Sequence, residues 1–422
     1  MEILNPMNEN QIRVESIEVD KLFGYYTYKL KMPKDGNFMI LYGDNGCGKT
    51  TILSTIYHLL NPERTNGHRF AVSQIPFKKF IINLSNGDSI EAVRNDAHEK
   101  DYVVKGIQNN KELFEYNLGD ARKERVGYRR QYEKYCSYLE KLKLNTLFMS
   151  ANRQIIVSEE DDDVDPIFDP RFDRFEYRRM KSRSKERDLS EVMDRFHRWM
   201  QTNVMKNTND GNRDIDSLYE NIIKEYNKQE RSPKDIKESF SELTKKNEKF
   251  KRLGLSTDIL KSSFIKKITK MSDAELNELA PILESYVSSL NIRLNALQPI
   301  EKKLSILESY LSKFFSKKTI QINALDGLRI LSEEGTSLHY SKLSSGEKQI
   351  LYLFCSAVIS VTESSIVIID EPEISLNIKW QRAFLQVLNE MIGENNVQVI
   401  IASHSIDLIT PYSDAVVEME NV

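Results

Sequence analysis

Residues 38–60 read FMILYGDNGCGKTTILSTIYHLL and place a glycine-rich loop between an apolar run and a helical pattern. The run at 38–42 is typical of a strand that is covered on both faces. Gly43 to Thr50 match G-x-x-x-x-G-K-[ST] in full. Glycines let such a loop curl until successive backbone N–H groups face one anion at the start of the next helix. The stretch therefore predicts a phosphate-binding loop in an α/β fold.

Each residue type in this loop has an expected contact with a nucleoside triphosphate. Lys49 is expected to reach the β- and γ-phosphates, and the Thr50 hydroxyl to bind Mg²⁺. The alternative is a chance glycine-rich turn, which the flanking strand and helix patterns disfavour. The predicted nucleotide-binding residues are Asn45, Gly46, Cys47, Gly48, Lys49, Thr50 and Thr51.

Two carboxylates follow a second apolar strand, in SIVIIDEPE at 365–373. Ligands of open α/β sheets bind at the carboxyl ends of the strands, so Asp370 is predicted to hold Mg²⁺ through a water molecule. Glu371 is predicted to polarise the attacking water as general base. An acidic helix cap would explain one carboxylate, but not the whole pattern.

A histidine ends a third apolar strand, in VQVIIASHS at 397–405. Alone, His404 would more often be a satisfied core or turn residue. At the same sheet edge as Lys49 and Asp370, it is better interpreted as a sensor of the γ-phosphate. Both interpretations stay open at this point.

The stretch LSSGEKQ at 343–349 begins another helix. Ser344, Ser345 and Gly346 offer amides and hydroxyls that suit an anion. Ser344 and Glu347 also match the capping box, in which each residue satisfies the other's backbone N–H. Capping and phosphate contact do not exclude each other, so the stretch by itself leaves both open.

The composition changes twice along the chain. Residues 1–155 are strand-rich, residues 156–318 are mainly helical after an acidic, proline-containing linker, and residues 319–422 alternate helix and buried strand. Such alternation indicates a largely parallel sheet. We therefore predict one α/β nucleotide-binding head, with an antiparallel β-subdomain, that is split by a helical insertion.

Four local patterns give specific expectations. Residues 79–93 predict a hairpin around Asn86-Gly87, a pair favoured where both turn residues need positive φ. Residues 110–144 are charged and predict helix, and 350–361 predict a buried helix. The helical pattern after 188 is expected to be interrupted at Pro281 and Pro299.

Composition limits the class of protein. With 60 basic and 63 acidic residues the net charge is −3, which does not indicate a nucleic-acid binder by global electrostatics. The 3 cysteines form no CxxC pair, which favours a reducing compartment. The N-terminal segment has no signal-peptide pattern, and no apolar run is long enough to span a bilayer. We expect a cytoplasmic protein without a membrane partner.

Two charged segments carry weaker signals. Residues 171–187 are basic with interleaved aromatic residues, a pattern that could bind DNA but is more often a solvated helix or a docking surface. Residues 159–165 are acidic and could ligate a metal, although an exposed loop is the simpler interpretation.

The stretches GDNGCGKT, LSSGEKQ, IVIIDEPE and ASHS, in that order, resemble the Walker A, signature, Walker B and switch-histidine motifs of ABC-type ATPases. The resemblance covers about 1–155 and 319–422. The long insertion and the SSGE signature resemble the SMC-like branch rather than transporters. KLFGYYTYKLKM and DEPEISLNIKWQ resemble the overcoming-lysogenisation-defect group, which includes stand-alone ATPase subunits of anti-phage systems such as PARIS and Septu.

The resemblance implies a head-to-head homodimer, or a higher homo-oligomer, that binds ATP and Mg²⁺ between subunits. Ser345 and Gly346 of one chain would cap the γ-phosphate that Lys49 of the other holds. Gln154 is the candidate for the glutamine that this family places between Walker A and the insertion. Ser375-Leu376-Asn377 departs from the family pattern after Walker B, which leaves communication between the two sites open.

The resemblance also implies a role. The chain would be a slow, regulatory ATPase and the sensor or scaffold subunit of an anti-phage complex, triggered by DNA or a phage protein. The sequence shows no nuclease pattern, so a separately encoded effector, such as a nuclease, would supply any cleavage. The alternative is an SMC-like DNA-binding ATPase in repair or maintenance, and a transporter ATPase is a distant third.

Overall fold

The computed structural model describes residues 12–33, 37–64, 67–109, 111–118, 125–150, 154–156, 189–213, 232–256, 262–315, 317–363, 365–374, 376–392 and 397–422. The chain divides into two units, one formed by Met1–Asp188 with Lys348–Val422 and the other by Leu189–Glu347. Both ends of the chain thus belong to one unit. The finer division into 1–155, 156–318 and 319–422 remains a prediction.

The elements follow in chain order. They are β1 (Val14–Leu22), β2 (Tyr26–Lys31), β3 (Phe38–Tyr42), α1 (Lys49–Leu60), α2 (His68–Ser73), β4 (Lys79–Leu84), β5 (Asp88–Val93), β6 (Val103–Gln108), β7 (Lys111–Asn117), α3 (Arg125–Leu142), β8 (Thr146–Ser150), β9 (Gln154–Ile156), α4 (Leu189–Arg213), α5 (Pro233–Arg252), α6 (Ser262–Lys270), α7 (Asp273–Phe314), β10 (Lys318–Asn323), β11 (Gly327–Ser332), α8 (Ser345–Glu363), β12 (Ile366–Asp370), α9 (Ile378–Ile392), β13 (Gln398–Ser403), α10 (Ile406–Ile409) and β14 (Val416–Glu418).

A six-stranded sheet in the order β14-β3-β13-β12-β8-β9 forms the nucleotide-binding half of the first unit. All neighbouring strands are parallel except β8 and β9, which are antiparallel. Every residue of β12 and β13 is buried, as expected for strands covered on both faces. The parallel order brings the carboxyl ends of β3, β12 and β13 to one edge of the sheet.

A second six-stranded sheet, in the order β2-β1-β4-β5-β6-β7, is antiparallel throughout and confirms the predicted β-subdomain. Its strands alternate buried and partly exposed residues, because only one face packs on the core. Gln398 joins the two sheets: its side-chain Oε1 accepts from the Val14 N–H at 2.9 Å, and its Nε2 donates to the Val14 carbonyl at 2.8 Å.

Two local expectations in this region are wrong in part. In the hairpin of β4 and β5, only Gly87 has a positive φ, of 81°. Its N–H donates to the Leu84 carbonyl at 3.0 Å, so the loop has three residues and needs one left-handed residue rather than two. Lys111–Asn117 forms strand β7 rather than helix, because pairing with β6 overrides the helix propensity of its charged residues.

In the second unit, α4 and α5 pack against the 42-residue helix α7, and β10 and β11 form an antiparallel hairpin. The expected interruption of the helix is wrong, because Pro281 and Pro299 both lie inside α7. A proline inside a helix costs about 3 kcal/mol. Each fully buried leucine contributes about 1.5–3 kcal/mol, so packing offsets that cost. The buried stripe that spans both prolines is Leu276, Leu283, Leu290, Leu294, Leu297 and Leu304.

The predicted buried helix is confirmed, since residues 350–360 of α8 are all buried. All three cysteines are free and buried. Among the described residues, no helix has the length and apolar character needed to cross a membrane. The predicted α/β head with an antiparallel subdomain and a large helical region is confirmed.

Candidate active site

The phosphate-binding loop runs from the end of β3 to the start of α1. Gly46 and Gly48 have φ of 84° and 96°, in the left-handed region that glycine adopts without a side-chain penalty. A Cβ at Gly48 would also lie 2.5 Å from Leu22 Cδ2. Because Gly48 caps α1 without a side-chain hydrogen bond, the first amides of the helix are left for an anion. The Tyr28 hydroxyl fixes the outer side of the loop by donating to the Cys47 carbonyl at 2.8 Å.

Lys49 is buried, and its ammonium is held by the loop's own backbone. Nζ donates to the Gly43 carbonyl at 2.6 Å and to the Asp44 carbonyl at 2.9 Å. These carbonyls satisfy a buried cation without neutralising it. The positive charge therefore remains available to a phosphate at the concave side of the loop.

The two predicted magnesium ligands are in direct contact. The Thr50 hydroxyl lies 2.9 and 3.0 Å from the two carboxylate oxygens of Asp370, which ends β12. Burial of Asp370, with the nearby charges of Glu371 and Glu373, raises the pKa of its carboxyl from 3.8 to about 6, although Thr50 and Lys49 oppose the rise. Desolvation and like charges both disfavour the ionised form. A cation at this corner would reverse that penalty.

The donor set fits Mg²⁺. Hydroxyl and carboxylate oxygens are hard ligands, and Mg²⁺ is commonly held by one or two protein groups together with phosphate oxygens and water. Within the part of the chain that the structure describes, no group of three or more His, Cys, Asp or Glu side chains forms a metal site of its own. An ion held by Thr50 and Asp370 would complete its coordination with phosphate oxygens and water.

Glu371 leaves β12 in an unusual backbone conformation. Its φ is 46°, a value that non-glycine residues rarely adopt and that marks strain. The Glu371 N–H donates to the Ala402 carbonyl on β13 at 2.9 Å, which holds this conformation. The partly exposed carboxylate has Oε1 3.8 Å from His404 Nδ1. The structure thus brings the predicted general base and the predicted γ-phosphate sensor together.

A third carboxylate, Glu373, was not singled out from the sequence. Its Oε1 accepts from the Ser403 hydroxyl at 2.7 Å and from the His404 N–H at 2.8 Å, and it lies 3.2 Å from His404 Nδ1. The only signal in the sequence is a second glutamate in DEPE, two residues after the general base. The contacts across to β13 follow from strand order, which the sequence does not state.

The start of α8 forms the capping box that the sequence allowed. Ser344 N–H donates to Glu347 Oε2 at 2.8 Å, and the Glu347 N–H donates to the Ser344 hydroxyl at 3.3 Å. Burial of Glu347 opposes ionisation, but hydrogen bonds from Lys318 and Ser344 hold the pKa of its carboxyl below the ordinary value. Ser344 is thus committed to capping, while Ser345 is exposed and Gly346 half-buried. Contact of Ser344, Ser345 and Gly346 with ATP remains a prediction.

Other predicted residues are placed less fully. Asn45 is exposed and Thr51 half-buried at the loop. Gln154 begins strand β9, but its side chain lies outside the described residues. Ser375, the acidic segment 159–165 and the basic segment 171–187 lie wholly outside the described residues. The hypotheses on them stay predictions.

Several known proteins are similar in sequence to this chain. The chain is 23% identical over 415 residues to the retron Ec83 probable ATPase of Escherichia coli, a match that covers 94% of this chain and 69% of that protein. It is 28% identical over 150 residues to the uncharacterised ABC transporter ATP-binding protein YejF of Escherichia coli (strain K12), of which it spans 27%. It is 30% identical over 119 residues to the zinc import ATP-binding protein ZnuC of Rickettsia conorii, of which it spans 48%.

Among solved structures, the chain is similar to an Smc head domain with an extended coiled coil from Pyrococcus furiosus, at 11% identity and a TM-score of 0.46, over 97% of this chain and 94% of that one. The family model described as "AAA domain, putative AbiEii toxin, Type IV TA system" matches residues 38–410. That range contains the phosphate-binding loop, the carboxylates Asp370 and Glu371, and His404. The chain therefore belongs to this family of AAA-domain proteins, and it is similar to a retron ATPase and to ABC-type ATP-binding proteins.

Proposed function

We propose that this chain binds ATP with Mg²⁺ at the edge formed by β3, β12 and β13, and hydrolyses it slowly as a regulatory step in the cytoplasm. The observation that carries the proposal is the convergence of Lys49, the Thr50–Asp370 pair, Glu371 and His404 at one sheet edge. Phosphoryl transfer needs mainly positioning and charge stabilisation, which such a constellation supplies.

The residues have separate roles in that reaction. Thr50 and Asp370 would hold Mg²⁺, which neutralises negative charge on the phosphates when bound. Lys49 and the loop amides hold the β- and γ-phosphates in line with an attacking water. Glu371 accepts a proton from that water as its oxygen bonds to the γ-phosphorus and the bond to ADP breaks. His404 contacts the γ-phosphate and reports whether it is present.

We further propose that a second copy of the chain completes the site. Ser345 is exposed, and capping occupies Ser344 rather than Ser345, which leaves the Ser345 hydroxyl for a phosphate on the other copy. Around the loops that carry Glu371 and His404, Ile374, Ile378 and Ile406 are 37%, 55% and 65% exposed. Covering such apolar side chains would favour association at this edge.

At the level of the cell, we propose a sensor or scaffold subunit of an anti-phage complex that controls a separately encoded effector. The support is the similarity to the retron ATPase, which extends over 94% of the chain and includes the helical unit.

The variant Glu371→Gln tests the chemistry. It keeps the shape of the side chain but removes the proton acceptor, so we expect ATP to bind with unchanged affinity while kcat falls by about a hundredfold or more. The closed dimer should accumulate with ATP, as size-exclusion chromatography with light scattering would show. Normal turnover by this variant would refute the assignment of the general base.

Co-purification tests the complex. The chain and the product of its neighbouring gene are expected to elute together, and the neighbour's activity should change with ATP. A neighbour that neither binds nor gains activity would exclude the scaffold role.

The alternative, a DNA-binding ATPase, is favoured by the arginine-rich and aromatic composition of 171–187. It predicts DNA binding that weakens steeply with salt and is lost when Arg178, Arg179, Lys181 and Arg183 are neutralised. No binding at low salt would exclude it.

A further inference from the structure

Glu373 makes its contacts through one oxygen. Oε1 receives the Ser403 hydroxyl at 2.7 Å and the His404 N–H at 2.8 Å, and His404 Nδ1 lies 3.2 Å away. The other oxygen, Oε2, is buried and has no hydrogen-bond partner among the described residues. All the side-chain contacts of Glu373 with the loop at the end of β13 are therefore made by Oε1.

A carboxylate in this position is not explained by stability. The Glu373 side chain is 4% exposed, and its Oε2 has no hydrogen-bond partner among the described residues. A buried charge with an unpartnered oxygen is costly, and an uncharged acceptor could satisfy the same two donors. The negative charge itself is therefore the feature that requires a reason.

The position of Glu373 relative to the histidine supplies that reason. His404 has Nδ1 on the side of both carboxylates, 3.2 Å from Glu373 and 3.8 Å from Glu371, so Nε2 is on the opposite side of the ring. The ring is 47% exposed, whereas Glu373 is fixed by its hydrogen bonds. A carboxylate beside one imidazole nitrogen fixes the tautomer and the orientation of the ring, and it stabilises the imidazolium form.

A second tie holds the same two loops together. Gln381 on α9 donates from Nε2 to the Leu376 carbonyl at 2.8 Å, and its Oε1 accepts from the Ser405 hydroxyl at 2.6 Å. The loop after β12 and the loop after β13 are thus joined on both sides of His404. Because the backbone of both loops is held in this way, the Glu373 carboxylate stays in a fixed position beside the His404 ring.

We propose that Glu373 is a positioning residue of the hydrolytic site: it accepts the Nδ1 proton of His404 in a hydrogen bond and holds the ring so that Nε2, protonated in the imidazolium form, donates to the γ-phosphate. This role rests on the proposed function, because it acts through His404 on ATP. Glu373 itself does not contact the nucleotide. Glu371 stays free to act on water, because Glu373 rather than Glu371 is the closer partner of the ring.

The first test is a double-variant cycle between Glu373 and His404. Glu373→Gln keeps an oxygen for the Ser403 and His404 donors but loses the charge, and we expect kcat to fall by about tenfold or more while the KM for ATP changes by less than about twofold. In a His404→Gln background, the same change should have little further effect. Glu333→Gln, which changes an exposed glutamate after β11, is the matched control and should leave kcat unchanged.

Two kinetic results would overturn the proposal. One is a fully active Glu373→Gln variant, since the oxygen acceptor alone would then suffice. The other is a multiplicative loss in the double variant, since Glu373 would then act independently of His404. Unfolding midpoints for all variants show that the compared proteins are folded.

The second test does not need turnover. Nitrogen-15 spectra of the histidine-labelled protein, with His404 identified by its loss in His404→Gln, should show a protonated Nδ1. An unprotonated Nδ1 would refute the proposal. This result is independent of the test of the proposed function. If Glu371→Gln hydrolysed ATP normally, the assignment of Glu371 as general base would be wrong, but the protonation of His404 Nδ1 would still decide the role of Glu373.

Discussion

Replacing Asp370 with asparagine should stabilise the nucleotide-free protein, although it removes a proposed magnesium ligand. In the fold, the pKa of the Asp370 carboxyl rises from 3.8 to about 6, chiefly through burial. Folding therefore favours the protonated form. The stability that protonation provides is fully present below pH 3.8 and is lost as the pH rises through about 6.

The size of the effect follows from that shift. The difference between 3.8 and about 6 corresponds to at most about 3 kcal/mol at pH 8. The amide introduced by Asp370→Asn would keep an oxygen for the Thr50 hydroxyl and carry no charge, so we expect a gain of about 1–3 kcal/mol. For a unit of this size, that is an increase in Tm of about 2–6 °C at pH 8. At pH 5 about half of the difference should remain, and near pH 4 it should be small.

The assay is thermal unfolding followed by circular dichroism between pH 4 and 8, with and without Mg²⁺ and ATP. Asp414→Asn, at an exposed aspartate, is the matched control and should show no such trend. With Mg²⁺ and ATP the order should reverse, because only the wild type gains the stability that ligand binding adds. A Tm for Asp370→Asn that is below wild type at pH 8 without nucleotide would refute the reasoning.

Three further changes have distinct expected outcomes. Lys49→Ala removes the ammonium that faces the phosphates and should weaken ATP binding by about a hundredfold, measured by calorimetry; binding within about threefold of wild type would contradict the role. Ser345→Arg should leave ATP affinity unchanged and block dimer formation by Glu371→Gln, measured by light scattering; a dimer that still forms would exclude Ser345 from the interface. Gly48→Ala should lower the free energy of unfolding by about 2 kcal/mol. Gly46→Ala should cost less, because a Cβ at Gly48 would meet the Leu22 side chain, whereas a Cβ at Gly46 would meet nothing within 4 Å. Equal losses for the two variants in denaturant titrations would show that the clash at Gly48 is relieved.

The sequence could predict the groups that lie next to each other along the chain. The glycine spacing of the phosphate loop and the apolar run before Asp370 each define a strand end, and parallel strands bring such ends to one edge. The pairing of Thr50 with Asp370 follows from that rule. This is why Lys49, Thr50, Asp370 and His404 could be expected at one sheet edge from the sequence.

Contacts that depend on strand order could not be predicted in the same way. Glu373 reaches Ser403 and His404 because β12 lies beside β13, and a spacing pattern carries no information on which strands are neighbours. Helix α7 continues through Pro281 and Pro299 because of leucine burial by neighbouring helices, a tertiary effect that outweighs a local penalty. Local rules therefore failed where packing decided the outcome.

The length of α7 has a mechanical consequence. A helix of 42 residues is about 63 Å long, which exceeds the diameter of a small domain. A tilt of about 5° at one end of such a rod displaces the other end by about 5 Å. A proline has no backbone N–H, so the helix loses one hydrogen bond at Pro281 and another at Pro299. These are the two positions at which α7 would bend first.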